Sequence, residues 1–345
     1  MGQTDYATGP DVEWCHGAVH DVSRTFSITV DRLEEPMSRY ICVGYLICRI
    51  ADTIEDAGHV DPAVQTELLA EYERVLRGEA RPEAFVAAVD PWIPDDGGDD
   101  WAVVARTPRV LRAFRTFDED ARTAVGDPVR ELVAGLRTFT DRYADEGGLR
   151  LQTVDELEEY CWYAAGTVGT LVTQLLTPGT APGRTEQLRA NARSFALLLQ
   201  LVNVAKDVRR DYVEENNVYL PAEWLADAGV TVDDLTDPEN ADAVANVVLR
   251  VVDRAESYLD GAQRYLEAVP EHRGNTLSAW AIPYLLAVGT LRELRGRPAD
   301  VIREGNVKVS RAEVHAVIQE FEKRQVSGED VGTLRDEIAA GPLHE

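Results

Sequence analysis

Two stretches of this chain, far apart, each place carboxylates on one narrow stripe of a predicted helix, and the two spacings nearly match. The first is Tyr45, Arg49, Asp52 and Asp56, inside GYLICRIADTIEDA, where Glu55 adds another acid. The second is Gln200, Asn203, Asp207 and Asp211, inside LLLQLVNVAKDVRRDY. At about 100° per residue, offsets of 0, 4, 7 and 11 fall within an arc of roughly 60°, and offsets of 0, 3, 7 and 11 within roughly 80°. Both stripes are set in Ile, Leu, Val and Ala that would otherwise be core. Burying unpaired carboxylates is expensive, so they require cations. Two such stripes facing each other across a helical cavity make a site for a divalent metal and a polyanion. Arg49 can neutralise a diphosphate oxygen while the acids hold Mg²⁺ bridging to the same group. Asn203 offers a carbonyl oxygen to metal or an NH₂ donor to ligand.

Each stripe has a plainer reading. Acidic clusters at helix ends are commonly just solvated, and DTIED alone says little; Arg49 and Tyr45 on the same face raise it. Three polar residues sharing one face with Asp211 are harder to explain as packing. Lys206, Arg209 and Arg210 flank that stripe as ligand-binding groups or as i,i+4 partners of nearby acids. In YCWYAAGTVGTL (160–171), small residues on a helix either pack closely against a neighbour or leave room for a ligand. Tyr160 stands at its start, able to present a hydroxyl. EENNVYLPAEW reads as an ordered loop over the cavity mouth.

Helical periodicity dominates the elements that must position these groups, and no run alternates as a strand does. Helices are predicted over 12–33, from Pro36 to about 57, 62–78, 108–116, 118–144, 154–176, 184–212, 238–268, 275–296 and 311–324, with a loop at 90–100 and a short extended piece at 307–309. The tail after Ser327 is weakly periodic. One all-α domain over 12–326 is expected, between a polar tail (1–11) and a C-terminal tail or short helix (327–345).

The 345 residues carry 61 acidic against 35 basic side chains, a net charge of −26, and Lys occurs only at Lys206, Lys308 and Lys323. An acidic surface that avoids Lys fits a protein kept hydrated in concentrated salt, as in a halophilic archaeon, the plainer alternative being an ordinary acidic cytosolic protein of a high-GC genome. No basic stripe exists to neutralise nucleic-acid phosphates. Cys15, Cys42, Cys48 and Cys161 form no CxxC pair and read as reduced core residues of a cytoplasmic protein. No signal peptide opens the chain, and the longest apolar run, Ala279 to Leu291, is too short and too interrupted by Pro283 to span a bilayer. A ferritin-like bundle would need Glu-x-x-His ligands, which are absent.

SRTF (23–26), YLICRIADTIEDA (45–57), YCWYAAGTVG (160–169), QLVNVAKDVRRDY (200–212) and VYLP (218–221) stand in this order and span most of the chain. Together they resemble the squalene and phytoene synthases, head-to-head prenyl transferases with the all-α isoprenoid synthase bundle around a central cavity. WAIPYLLAVGTL (280–291) and NVKVSR (306–311) resemble squalene synthases in particular. The resemblance implies that two farnesyl diphosphates are joined to presqualene diphosphate with Mg²⁺, then reduced by NADPH to squalene, with a transient membrane-surface contact for product release. It implies metal binding by Asp52, Glu55, Asp56, Asn203, Asp207 and Asp211, and catalytic work by the four aspartates and Tyr160. Substrate contacts would come from Ser23, Arg24, Thr25, Phe26, Tyr45, Arg49, Val168, Gly169, Gln200, Asn203, Lys206 and Tyr212. Asn203, Lys308 and Arg311 would bind the cofactor. Lys206 stands where the family usually has Arg, which keeps the charge and loses the fork. Thr25 and Ala164 replace commoner Ser and Val, and the C-terminal membrane helix of eukaryotic members is absent. The rival readings are a phytoene or dehydrosqualene synthase, which omits the reduction, and a non-catalytic assembly factor.

Overall fold

The computed structural model describes residues 9–344, so most of the expected N-terminal tail lies outside the described residues. All regular structure among them is helical, apart from one isolated bridge between Arg150 and Val218. The chain opens with α1 (Pro10–Val22) and α2 (Arg24–Asp31) in place of the single helix expected over 12–33. Ser23 is the reason. Its backbone is extended, and its side-chain oxygen accepts from the Phe26 N–H at 3.1 Å, capping a new helix.

The first carboxylate stripe lies on α3 (Met37–Glu55), followed by α4 (Pro62–Leu76), α5 (Pro82–Val89), α6 (Gly98–Ala105), α7 (Thr107–Arg115) and α8 (Glu119–Arg142). Neither α5 nor α6 was expected, and the loop predicted over 90–100 gives way to helix at Gly98. Beyond α8, α9 (Val154–Cys161) and α10 (Thr167–Leu176) are joined by a π-helical turn over Trp162–Gly166.

The second stripe rides on α11 (Pro182–Lys206), which ends at Asp207. A short α12 (Val208–Arg210) and a π-turn over Asp211–Glu215 follow, so the single helix expected to 212 is broken. The remaining helices are α13 (Ala222–Asp227), α14 (Ala241–Glu256), α15 (Leu259–Ala268), α16 (Ser278–Gly296), α17 (Asp300–Arg303), α18 (Arg311–Lys323) and α19 (Gly328–Ala340). The helix expected over 238–268 is divided between α14 and α15, and Val307–Val309 forms no strand.

Two hubs organise the packing. α3 packs against α1, α6, α7 and α8, and α11 against α10, α14, α15 and α16. α19 buries Val331, Leu334 and Ile338 against α15 and α16 and starts with a Ser327/Asp330 capping box, so the region expected as a tail or short helix is helical over Gly328–Ala340. α16 continues through Pro283, which has no N–H for the Ala279 carbonyl. The Thr29 hydroxyl takes that carbonyl instead, at 3.1 Å, and so fixes α2 to α16. No helix among the described residues is long and apolar enough to cross a membrane.

Candidate active site

The N-terminal motif folds onto the first stripe. The Phe26 ring stacks on Tyr45 with centroids 4.0 Å apart, and burial above all pushes the Tyr45 phenol up. Arg24 and Thr25 are exposed, and Arg24 makes no ion pair among the described residues. One turn past Tyr45, Arg49 is already engaged. Its Nε and Nη2 donate to the two Asp100 carboxylate oxygens at 2.7 and 2.9 Å. The edge left to neutralise a diphosphate oxygen, as expected of Arg49, is the one carrying Nη1. Asp100 opens α6, and His59 ties the same segment to the end of α3 through the Trp92 carbonyl, at 2.9 Å. Asp52 keeps some solvent access yet is ringed by protein. Burial above all pushes its carboxyl up to about 7 despite Arg49.

The last turn of α3 is clamped from below. Buried Gln65 directs its side-chain amide at the carbonyls of Ile54, Glu55 and Ala57, at 3.0, 2.9 and 3.1 Å. Glu55 itself points inward, which the expectation of a metal ligand did not foresee. Tyr160 donates to its carboxyl at 3.2 Å, and the Tyr160 and Tyr219 hydroxyl oxygens lie 3.3 Å apart. The two rings stack at 4.9 Å. Asn217 donates to the Tyr219 hydroxyl at 3.2 Å and accepts from the Leu149 N–H at 2.9 Å. All four side chains are buried. Burial, then the neighbouring Asp56, drives the Glu55 carboxyl well above its usual range. Burial likewise keeps Tyr160 a neutral phenol.

In the second stripe, Gln200 is half-buried and Asn203 exposed on α11. Asp207 and Asp211 are only 3% and 5% exposed, and the Asp211 N–H donates to the Asp207 carbonyl at 2.9 Å. Lys206 pairs with Asp207 Oδ2, and Arg210 reaches both acids, at 3.3 and 3.2 Å. Asp207 Oδ1 is buried without a partner among the described residues. Burial, then Asp207, pushes Asp211 up to about 7. Tyr212 is half-buried, with the Arg150 guanidinium 6.0 Å over its ring.

The two stripes meet at their C-terminal ends. A Cβ on Gly58 would stand 2.9 Å from the Glu215 backbone, so only glycine permits this approach of the segments. Asp56 is near enough to raise both Asp211 and Glu215, and Glu215, chiefly through burial, is pushed up to about 9. Not every expected contact points here. A Cβ on Gly169 would lie 2.8 Å from the Ala196 Cβ, so Gly169 serves the close packing of α10 on α11; Val168 beside it is half-buried. Lys308 and Arg311 are exposed and make no ion pair among the described residues, while Val307 anchors their segment in the core. That segment begins beside the second motif, where Arg209 donates to the Ile302 carbonyl at 2.8 Å. Asp100, Glu215 and Tyr219 are the residues that sequence reasoning missed.

The family model described as squalene/phytoene synthase matches residues 19–313. The chain belongs to the squalene/phytoene synthase family. Squalene synthase 1 of Arabidopsis thaliana is 24% identical over 287 residues, which cover 82% of this chain and 65% of that protein. Lycopaoctaene synthase of Botryococcus braunii is 28% identical over 313 residues, covering 88% and 65%. The chain thus spans about 65% of the length of these curated relatives. The solved structure of TcSQS with the ligand BPH1237 matches with a TM-score of 0.75 at 20% identity, covering 96% of this chain and 98% of that one. The all-α isoprenoid synthase fold is therefore the fold of this squalene/phytoene synthase family member.

The family implies a divalent metal. Among the described residues no three His, Cys, Asp or Glu side chains stand converged to hold one. The donor set nevertheless fits a hard cation. Asp52, Asp56, Asp207 and Asp211 supply carboxylate oxygens, the chemistry Mg²⁺ prefers, and Asp207 Oδ1 is a buried acceptor with nothing to accept. Lys308 and Arg311 equally suit a phosphate-bearing cofactor, as two unengaged cations on an anchored segment.

Proposed function

We propose that this chain is a squalene synthase, which joins two farnesyl diphosphates to presqualene diphosphate and reduces that intermediate to squalene. The observation that supports it best is the meeting of the two acidic stripes, with Gly58 against the Glu215 backbone and Asp56 near enough to raise Asp211 and Glu215. Asp52, Asp56, Asp207 and Asp211 would hold Mg²⁺, which when bound neutralises the departing diphosphate. Arg24 and the open edge of Arg49 offer donors to its oxygens. Stacked Phe26 and Tyr45 flank that position with aromatic surface and keep water from an allylic cation. Tyr160, locked between Glu55 and Tyr219, presents a neutral phenol, suited to steadying positive charge more than to acting as a phenolate base. Lys308 and Arg311 would take the phosphates of NADPH, with Asn203 as a further contact; the cofactor supplies the reducing equivalent of the second step.

Incubating the protein with Mg²⁺ and farnesyl diphosphate, with and without NADPH, tests this reading. Squalene should form only with NADPH, and presqualene diphosphate should accumulate without it. The same hydrocarbon under both conditions would replace squalene synthase by the dehydrosqualene or phytoene reading. No release of diphosphate would leave the assembly-factor reading.

A further inference from the structure

The second acidic motif carries its own counter-ion. Asp207 and Asp211 are buried acids one helical turn apart, and a single guanidinium nitrogen, Arg210 Nη2, lies 3.3 Å from Asp207 Oδ2 and 3.2 Å from Asp211 Oδ1. Lys206 contributes a second positive charge, but on Asp207 alone. The Arg210 side chain is 46% exposed, whereas the two carboxyls are 4% and 7% exposed, so the cation can swing outward while the acids stay in place. Asp207 Oδ1 is the one carboxylate oxygen of the pair that is buried and unengaged, a first foothold for an incoming cation. Two further oxygens that these acids could offer it, Asp207 Oδ2 and Asp211 Oδ1, are the ones that Arg210 holds.

We propose that Arg210 is a built-in counter-ion that competes with the divalent metal for Asp207 and Asp211 and must be displaced when the metal binds. This rests on the diphosphate-clamp reading above and gives Arg210, until now only a flanking cation, a role of its own. Like charges a few ångströms apart repel strongly in a partly buried site, so Arg210 and Mg²⁺ cannot share the same oxygens at full affinity. Its presence makes the acids tolerable to bury and sets the metal affinity low.

Calorimetric titration with MgCl₂ alone, at fixed ionic strength, tests this on the wild-type protein, Arg210→Gln and Arg210→Lys. Arg210→Gln should bind Mg²⁺ roughly tenfold more tightly, as removal of a cation touching both ligands requires. Arg210→Lys, which keeps the charge but lacks the planar fork, should fall between. The Mg²⁺-induced rise in melting temperature should follow the same order. Should Arg210→Gln fail to fold, Arg210→Lys against wild type carries the test, with tighter binding still expected. Equal or weaker Mg²⁺ binding in the variants would overturn the counter-ion role alone. No Mg²⁺ uptake by any of the proteins, even with inorganic pyrophosphate present, would overturn the clamp reading and this inference with it.

Discussion

The Tyr160 hydroxyl lies 3.2 Å from a carboxyl oxygen of Glu55, a residue 105 positions earlier, inside the first acidic motif. One phenol proton thus ties the small-residue segment to the helix of the first acidic motif, with Tyr219 stacked behind. Tyr160→Phe keeps the ring and deletes the hydrogen bonds. Turnover should fall by about 10²-fold, the scale of a positioned polar group. The melting temperature should drop only slightly. Steady-state kinetics beside a thermal melt checks this, and a kcat within a factor of two of wild type would contradict it.

Asp100 fixes one edge of Arg49. Both side chains are about one-third exposed, so the pair contributes less than about 1 kcal/mol to stability. Asp100→Ala should leave the melting temperature nearly unchanged but raise KM for farnesyl diphosphate several-fold, because Arg49 loses its fixed orientation. Asp100→Glu should recover part of that loss. An unchanged KM in Asp100→Ala would separate Arg49 from substrate binding.

Asp52 and Asp211 are pushed up to about 7, in both cases chiefly by burial. An acid whose folded pKa exceeds its unfolded value binds more protons when folded, so its contribution to stability is full below about pH 4 and is lost as pH rises through 7. On the proposed reading, bound Mg²⁺ would take the place of those protons. The rise in melting temperature produced by Mg²⁺ should therefore be larger at pH 8 than at pH 5.5, and a pH-independent rise would contradict metal binding by these acids.

Lys308 and Arg311 are exposed and, on the proposed reading, hold the cofactor phosphates, so Lys308→Ala with Arg311→Ala should separate the two half-reactions. Condensation should survive and reduction should fail, so presqualene diphosphate or unreduced hydrocarbon accumulates with NADPH present. Product analysis decides this. Loss of both steps would indicate a structural role for 306–311, and unchanged squalene output would exclude both residues from the cofactor site.

The all-helical class and the first stripe were legible because α3 is one regular helix, in which a 3.6-residue repeat keeps Tyr45, Arg49 and Asp52 on one side, with Asp56 at its C-cap. The same arithmetic misled in the second stripe. Asp207 ends α11 with φ −105° and ψ 10°, and the π-turn over Asp211–Glu215 changes the register, which side-chain periodicity does not report. Asp100 was hidden in DDGGDD, where acids read as solvated until α6 brings one against Arg49. Tyr219 sits in irregular chain, so no periodicity marks it; Asn217 and the bridge from Val218 to Arg150 put it behind Tyr160. Glu215 becomes part of the site only through the backbone approach at Gly58.

The central claim is that the two acidic stripes act as one diphosphate clamp, and diphosphate release from farnesyl diphosphate measures it most directly. Asp52→Asn, Asp56→Asn, Asp207→Asn and Asp211→Asn should each reduce the Mg²⁺-dependent rate by at least about 10²-fold, since an amide cannot supply the anionic oxygen that a metal ligand must. Far-ultraviolet circular dichroism should show unchanged helicity. Near-normal release in any two of these variants would contradict the clamp.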